Sequence, residues 1–316
     1  MGDTPAKTMR CLVLGGGGFL GSHVSEALTG SGYRVRIFEK ALVDRGNVRD
    51  FIHRVEWIEG DFNSRHQLRE IMDGTDYVVH CIGTTLPETS NKDPIYDIST
   101  NLLPTVHLLE AAKAVGVKKV IFLSSGGTVY GIPQSTPIPE SHPTEPICSY
   151  GIQKLAIEKY LALYRHLYGL DYAVLRLANP YGARQKPEAV QGAIAVFMSK
   201  ALRGETIEIW GDGTVVRDYL YVTDIARAVL SALRYEGEYR VFNVGSGVGF
   251  SIRDLLARIE KIVGRVVHVH HQPGRRFDIP INVLDISRAN RELGWRPQVE
   301  FDDGLQMTKV YLSRGV

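Results

Sequence analysis

Clustered cysteines, an excess of either charge and long uncharged apolar runs are all missing from this chain of 316 residues. The three cysteines, Cys11, Cys81 and Cys148, are odd in number and scattered without metal-ligand spacing. That excludes a disulfide framework, argues against a zinc site and suits a reducing compartment. With 37 Lys+Arg against 35 Asp+Glu the formal net charge is only +2, which leaves no electrostatic case for nucleic acid or for a membrane surface. No uncharged stretch reaches membrane-spanning length, and Met1 to Thr8 are polar without an apolar signal core. The chain therefore reads as a soluble cytoplasmic protein with a loose leader. Repeats, coiled-coil heptads and low-complexity tracts are missing too.

What is present is alternation. The length and a 44% hydrophobic content suffice for one large or two unequal domains. From Arg10 to about Leu175, short apolar runs predict strands at Arg10–Leu14, Arg34–Phe38, Val55–Glu59, Tyr77–Cys81, Lys119–Leu123 and Tyr172–Leu175. Amphipathic runs between them predict helices near Ser22–Gly30, Ser64–Met72, Leu102–Val115 and Tyr150–Leu167, the second capped by Asn63 or Ser64. Such alternation predicts a doubly wound parallel α/β sheet over residues 9–178. Gly131 to Ser149, with five prolines, reads as a loop. Beyond it the pattern weakens to a helix at Gly192–Leu202, strands at Ile207–Trp210 and Tyr219–Val222, a helix at Thr223–Leu233, a strand at Val241–Val244 and a helix through Ser251–Val263. Residues 179–316 thus read as mainly a smaller mixed α/β domain, with some segments returning to the first.

The stretch Leu14-Gly-Gly-Gly-Gly-Phe19-Leu20-Gly21 joins the first strand to the first helix. Gly15, Gly18 and Gly21 on such a turn let backbone approach a pyrophosphate, and the free N–H groups of the helix point at it. The second strand ends in Glu39, eighteen residues after Gly21, where a carboxylate can accept from both hydroxyls of an adenosine ribose. The combination predicts a dinucleotide-binding (Rossmann) sheet. Asp61, directly after the third strand, lies at the same carboxyl edge, and Phe62 could flank an adenine. Tyr150 and Lys154, four apart at the start of a helix, share one face. An ammonium close to the phenol, together with a nicotinamide cation, would favour the phenolate, a base able to exchange a proton with a sugar hydroxyl. The strand end Ser124-Ser125 precedes them.

These features, with Leu123-Ser-Ser-Gly-Gly-Thr-Val-Tyr-Gly131, Tyr150-Gly-Ile-Gln-Lys154, Asn101, Arg176-Leu-Ala-Asn179, Arg217-Asp-Tyr and Arg275-Arg-Phe-Asp278, resemble the extended short-chain dehydrogenase/reductase family, and within it the sugar-nucleotide 4-epimerases. The likeness covers nearly the whole chain after the leader. It implies NAD as cofactor, seated by Gly15, Gly18, Phe19, Leu20, Gly21, Glu39, Asp61, Phe62, Gly83, Asn101, Tyr150 and Lys154. It implies Asn179, Arg217, Arg275 and Asp278 as the holders of a UDP-sugar; two guanidiniums converging on a diphosphate make chemical sense of the arginines. The implied reaction is 4-epimerisation through a transient 4-keto sugar, with Tyr150 as the proton carrier, in a homodimer built on a four-helix bundle. Glu39 would repel a 2′-phosphate, so NAD is preferred over NADP, although Lys40 works against it.

Two positions depart from the family pattern. Where a Ser or Thr usually meets the 4-hydroxyl, four residues before Tyr130, this chain has Gly126. The hydroxyl then comes from Ser125 and Thr128 jointly, from an ordered water, or is missing. No acidic residue stands at 126–128, which disfavours dehydration or decarboxylation. Asn282 occupies the gate position four residues after Asp278, smaller than the tyrosine of epimerases restricted to non-acetylated sugars. UDP-glucose/UDP-galactose and their N-acetyl counterparts are therefore carried together, with a uronic acid as a third class. The competing readings are a nucleotide-sugar reductase or dehydrogenase with exchangeable NAD(P)H, and a cofactor-sensing binding protein on the same scaffold.

Overall fold

The computed structural model describes residues 8–187, 192–274 and 279–314. Strand β1 (Arg10–Leu14), helix α1 (Phe19–Gly30), β2 (Arg34–Glu39), β3 (Val55–Glu59), α2 (Arg65–Met72) and β4 (Tyr77–His80) open the chain. Two short helices, α3 (Pro87–Ser90) and α4 (Pro94–Asp97), run through a π-helical turn at Ile98–Leu102 into α5 (Leu103–Val115). Then come β5 (Lys119–Ser125), α6 (Ser149–Tyr168), β6 (Asp171–Leu177), β7 (Asn179–Tyr181), α7 (Ala193–Arg203), β8 (Ile207–Trp210), β9 (Val216–Tyr221), α8 (Val222–Arg234) and β10 (Val241–Val244). The chain closes with β11 (Gly249–Ser251), α9 (Ile252–Val263), β12 (Val269–Gln272), β13 (Ile281–Asn282), α10 (Ser287–Leu293) and α11 (Phe301–Leu312).

Seven strands form one sheet in the order β10-β6-β5-β4-β1-β2-β3, every neighbour parallel. Strands of a parallel sheet are covered on both faces, and here the period of two sorts residues between two cores. Val13, Ile37, Val79, Ile121 and Leu175 face α1 and α8. Leu12, Leu14, Val78, Val120 and Phe122 face α2, α5 and α6. The order reverses at β1, with β2 to one side and β4 to the other, so the crevice for a ligand lies at their carboxyl ends.

The remaining strands make a four-stranded sheet, with β9 paired to β11, β13 and β7, and a two-stranded sheet of β12 and β8. They enclose a third core built on Tyr181, Phe197, Tyr219, Leu255 and Leu305. Ser64 caps α2 by accepting from Gln67 N at 3.4 Å, which decides between the two candidate caps. Residues 131–148 hold neither helix nor strand, apart from a single bridge between Ile138 and Leu284. Several elements were not foreseen: the two- and three-residue strands β7, β11 and β13, strand β12, and the helices α10 and α11.

Candidate active site

The glycine turn is built by close approach of backbone. Gly15 takes φ +74, and its N–H donates to Phe38 O at 2.9 Å, which fastens the turn to β2. A Cβ on Gly21 would stand 2.1 Å from Gly15 O, so only glycine lets the first turn of α1 rest on the loop. Gly18 caps α1 without a side-chain hydrogen bond. The first backbone bond into the helix is Ser22 N to Gly18 O, so the N–H groups of Phe19, Leu20 and Gly21 find no acceptor among the described residues. Three free donors at a positive dipole end suit a pyrophosphate. Glu39 lies over the same turn, its Oε2 accepting from Gly17 N at 3.2 Å and its Oε1 from Lys40 N at 3.2 Å. Burial raises its pKa, against the pull of those N–H groups and of the Lys40 charge. This donor and acceptor set fits a dinucleotide.

The loop after β4 borders the crevice. Gly83 is exposed, and the next residue is clipped by Asn101: Thr84 N donates to Asn101 Oδ1 at 3.0 Å, while Asn101 Nδ2 donates to Thr84 Oγ1 at 2.7 Å and Asp97 O at 3.0 Å. Asn101 is buried and shapes the loop from behind. Asp61 is exposed, with its Oδ1 accepting from Asn63 N and Nδ2 at 2.9 and 3.0 Å. That is an Asx turn leading into α2. The Phe62 ring is buried against His80, with centroids 5.3 Å apart.

Tyr150 and Lys154 lie one turn apart on α6. Lys154 is buried; its Nζ donates to Leu123 O at 3.0 Å, lies 4.6 Å from the Phe122 ring centroid and 5.6 Å from that of Tyr150. Burial pushes the ammonium down to about 8. Burial also pushes the Tyr150 phenol up to about 12, helped by Cys148 and Asp97. The ammonium alone therefore does not favour the phenolate; in the protein by itself desolvation of the phenol outweighs it. The same numbers predict a stability trade. Folded Lys154 titrates at about 8 and unfolded lysine near its ordinary value, so between the two the unfolded chain binds more protons and stability rises with pH. Lys154→Met is thus expected to be about 1–2 kcal/mol more stable than the wild type at pH 7, after the lost hydrogen bond is set against the removed desolvation. Urea melts at several pH values should show that advantage shrinking above about pH 8 and vanishing by about pH 10.5.

Strand β5 delivers Ser125, half-buried, to the same edge. Gly126 follows with its N–H donating to Leu177 O at 2.8 Å. A Cβ there would meet Leu284 Cδ1 at 2.6 Å, so the missing family hydroxyl is explained by Leu284 occupying its place. Gly126→Ser is accordingly expected to cost about 1–3 kcal/mol of stability, with Leu284→Ala in the same chain recovering part of it; thermal melts of the pair would decide, and an unperturbed single variant would refute the steric account. Thr128 Oγ1 is buried without a partner among the described residues, a donor held ready for a ligand atom. Gly151 packs on Thr128 O, where a Cβ would come to 2.8 Å, so this turn and the first turn of α6 touch.

Behind the dyad lies a buried network that the sequence did not suggest. Ser124 Oγ donates to Glu158 Oε1 at 2.5 Å, and Arg176 forks onto Glu158, Nε to Oε1 at 3.1 Å and Nη2 to Oε2 at 2.6 Å. Arg176 also stacks on Tyr130 at 4.8 Å. Glu158 is one turn beyond Lys154 on α6, and Ser124 pairs with Arg176 in the sheet, so the network fixes helix to strand beneath the dyad.

On the opposite wall, Asn179 Nδ2 donates to Asp218 O at 3.0 Å, and Arg217 Nη1 donates to Val216 O at 2.9 Å and Ile279 O at 2.6 Å. Asn282 pairs with Arg217 in the strand register, is buried, and donates through Nδ2 to Gly126 O at 3.1 Å. It thereby ties the smaller sheet to the turn that carries Ser125 and Thr128. Arg275 and Asp278 lie outside the described residues. Asp218, unremarked in the sequence, is fully buried and accepts from Ser246 N and Oγ, Gly247 N and Leu284 N at 2.6–3.3 Å.

Known proteins resemble this chain in sequence and in fold. The family model for NAD-dependent epimerases and dehydratases matches residues 11–245. A UDP-glucose 4-epimerase of Mycolicibacterium smegmatis is 36% identical over 304 residues, covering 95% of this chain and 97% of its own. The crystal structure of a UDP-glucose 4-epimerase with UDP-glucose from Thermotoga maritima superposes with a TM-score of 0.92 at 36% identity, covering 97% of this chain and 99% of that one. That of a Thermus thermophilus UDP-glucose 4-epimerase in complex with NAD superposes at 0.90 and 34% identity, covering 98% and 100%. The glycine turn, Glu39 and the Tyr150/Lys154 pair all fall within the matched span, and the chain belongs to the NAD-dependent epimerase/dehydratase family.

Proposed function

We propose that this protein is an NAD-dependent 4-epimerase of UDP-sugars, interconverting UDP-glucose and UDP-galactose or their N-acetyl counterparts. The observation that carries the reading is the dyad: Tyr150 with a buried ammonium 5.6 Å from its ring, next to a turn where the Thr128 hydroxyl is buried without a partner among the described residues. Residues 9–178 and the segments that rejoin their sheet hold NAD: the N–H groups of Phe19, Leu20 and Gly21 take the pyrophosphate over Gly15 and Gly18, and Glu39 takes the ribose. Asp61, Phe62 and Gly83 border it, Asn101 fixes the Gly83 loop, and Lys154 and Tyr150 meet the nicotinamide end. NAD, when bound, supplies a reversible hydride acceptor for C4 of the sugar, and its positive ring adds the second charge that the phenol needs.

The chain does the rest. Tyr150 removes and returns the proton of the 4-hydroxyl, Lys154 adds its charge to that of the nicotinamide in favouring the phenolate, and Ser125 with Thr128 orients the oxygen. Asn179, Arg217, Arg275 and Asp278 hold the UDP portion, and Asn282, small and tied to Gly126 O, leaves the sugar end wide. No carboxylate lies at 126–128 to expel a group from the sugar, so the product keeps all its atoms. Replacing Ser125 or Thr128 by Ala is expected to lower turnover at least about tenfold each; full activity in both variants would remove them from the mechanism.

Apolar side chains left exposed along α6, Ile152, Tyr160, Leu163 and Leu167, with Leu103 on α5, support a homodimer through these two helices. No described helix is long and apolar enough to cross a membrane, and the free cysteines suit the cytoplasm. The test is incubation with UDP-glucose, UDP-galactose and the two N-acetyl sugars, followed by separation of products. Interconversion without net change in cofactor is expected. Stoichiometric consumption of NADH or NADPH would make it a reductase, and four unchanged substrates would overturn the proposal.

A further inference from the structure

The loop between β2 and β3 folds back onto the glycine turn. Asn47 Nδ2 donates to Gly17 O at 3.1 Å. A Cβ on Gly17 would stand 2.7 Å from Trp57 Cη2 and 3.3 Å from Glu39 Oε2, so the edge of the indole, the turn and the ribose-reading carboxylate meet at one point. The strand register sets Trp57 beside Ile37 and Glu59 beside Glu39. Glu59 Oε1 accepts from Trp57 Nε1 at 3.1 Å and from Arg45 Nη2 at 2.8 Å. The Arg45 guanidinium lies 4.9 Å from the indole centroid. A cation is thus parked on the ring whose edge, like Glu39 Oε2, borders Gly17, and a second carboxylate holds it there.

We propose that Glu59 is a specificity residue for the cofactor: by holding Arg45 on Trp57 it withholds the nearby guanidinium from a 2′-phosphate, so that selection of NAD over NADP is shared between Glu39 and Glu59. The two act differently. Glu39 accepts the ribose hydroxyls and repels a phosphate in their place. Glu59 engages one arm of the fork, Nη2, that would grip that phosphate with two parallel N–H bonds. An exposed ion pair is weak by itself, but this guanidinium is also stacked on Trp57, and a dianion approaching it meets two like charges. Removing Glu59 leaves Arg45 stacked on the indole with its fork open.

The test reads cofactor content. The purified full-length protein is incubated with equimolar NAD and NADP until the bound ratio is constant, desalted and denatured, and the released dinucleotides are quantified. Wild type is expected to release almost only NAD, and Glu39→Gln to release some NADP. Adding Glu59→Gln should move the NADP/NAD ratio by about tenfold more at low salt. Arg45→Ala in that double variant should return the ratio to that of Glu39→Gln alone. Equal ratios in the single and double variants, or a shift that survives Arg45→Ala, would overturn the proposal. Protein that holds neither dinucleotide would overturn it together with the reading of the glycine turn, whereas failure to convert UDP-sugars would leave the released ratio unchanged.

Discussion

Tyr150→Phe is expected to lower epimerisation turnover by about three orders of magnitude while leaving the melting temperature within a few degrees of wild type. The ring stays where it is and only a hydroxyl is lost. General acid–base groups contribute about 10²–10⁴ in rate, and the described residues place no second titratable group at the start of α6 with a lysine beneath it. Because the proton moves only in the transition state, the loss should fall on kcat, with KM for the UDP-sugar nearly unchanged. Steady-state kinetics with circular dichroism on the same preparation would check both halves. A variant retaining a tenth or more of the activity would mean that the proton travels by another route, through Thr128 or solvent.

Gly21→Ala should be nearly as damaging, by a different physical route. The added methyl would stand 2.1 Å from Gly15 O and 2.8 Å from Gly16 Cα; both are backbone atoms, so no side-chain rotation relieves the overlap. The start of α1 must lift from the turn, at a cost of about 3 kcal/mol or more, and the three free N–H groups lose their common aim. Protein desalted after expression is expected to carry no dinucleotide. Gly30→Ala, at the far end of α1, is the control: nothing lies within 4 Å of its Cβ, and cofactor content should be kept. Wild-type content in the Gly21 variant would show that the turn is softer than its geometry indicates.

Much of the large sheet was legible because it is written locally. Strands β1, β3 and β10 coincide with the predicted runs, while β5 runs on through Ser124 and Ser125 and β6 extends to Asp171 at one end and to Arg176 and Leu177 at the other. α1 starts at Phe19, ahead of the predicted Ser22, since a glycine cap carries no polar signature. What escaped depends on distant pairing. Strands of two or three residues carry no periodicity, and their partners lie far off in sequence. Helix α11 has Gly304 in its interior, a residue that weakens any helical reading; its reason appears only in the fold, where a Cβ would stand 2.1 Å from Tyr181 Oη. Glu158 reads as an ordinary helix surface residue until the β5/β6 register sets Ser124 beside Arg176. The site followed the same rule. Gly15, Gly21, Glu39, Tyr150 and Lys154 are motif residues close to one another along the chain or on one helix face, whereas Asn282 touching Gly126 spans 156 positions. Burial of the Tyr150 phenol, which raises its pKa in the protein by itself, cannot be weighed from spacing.

Asn243 on β10 holds the proline-rich loop in place. Its Oδ1 accepts from Tyr130 Oη at 2.6 Å, its Nδ2 donates to Ile138 O at 2.8 Å and Asp285 O at 3.1 Å, and its backbone N–H donates to Glu140 Oε1 at 2.9 Å. Each anchor lies at or outside Tyr130 and Ile138, while the stretch 132–137 between them is largely exposed. This divides the loop into a rigid frame and an exchangeable span. Segments of other lengths grafted between Gly131 and Ile138 would inherit both fixed ends, which makes this short span the place where the chain can be varied without disturbing β5 or α6.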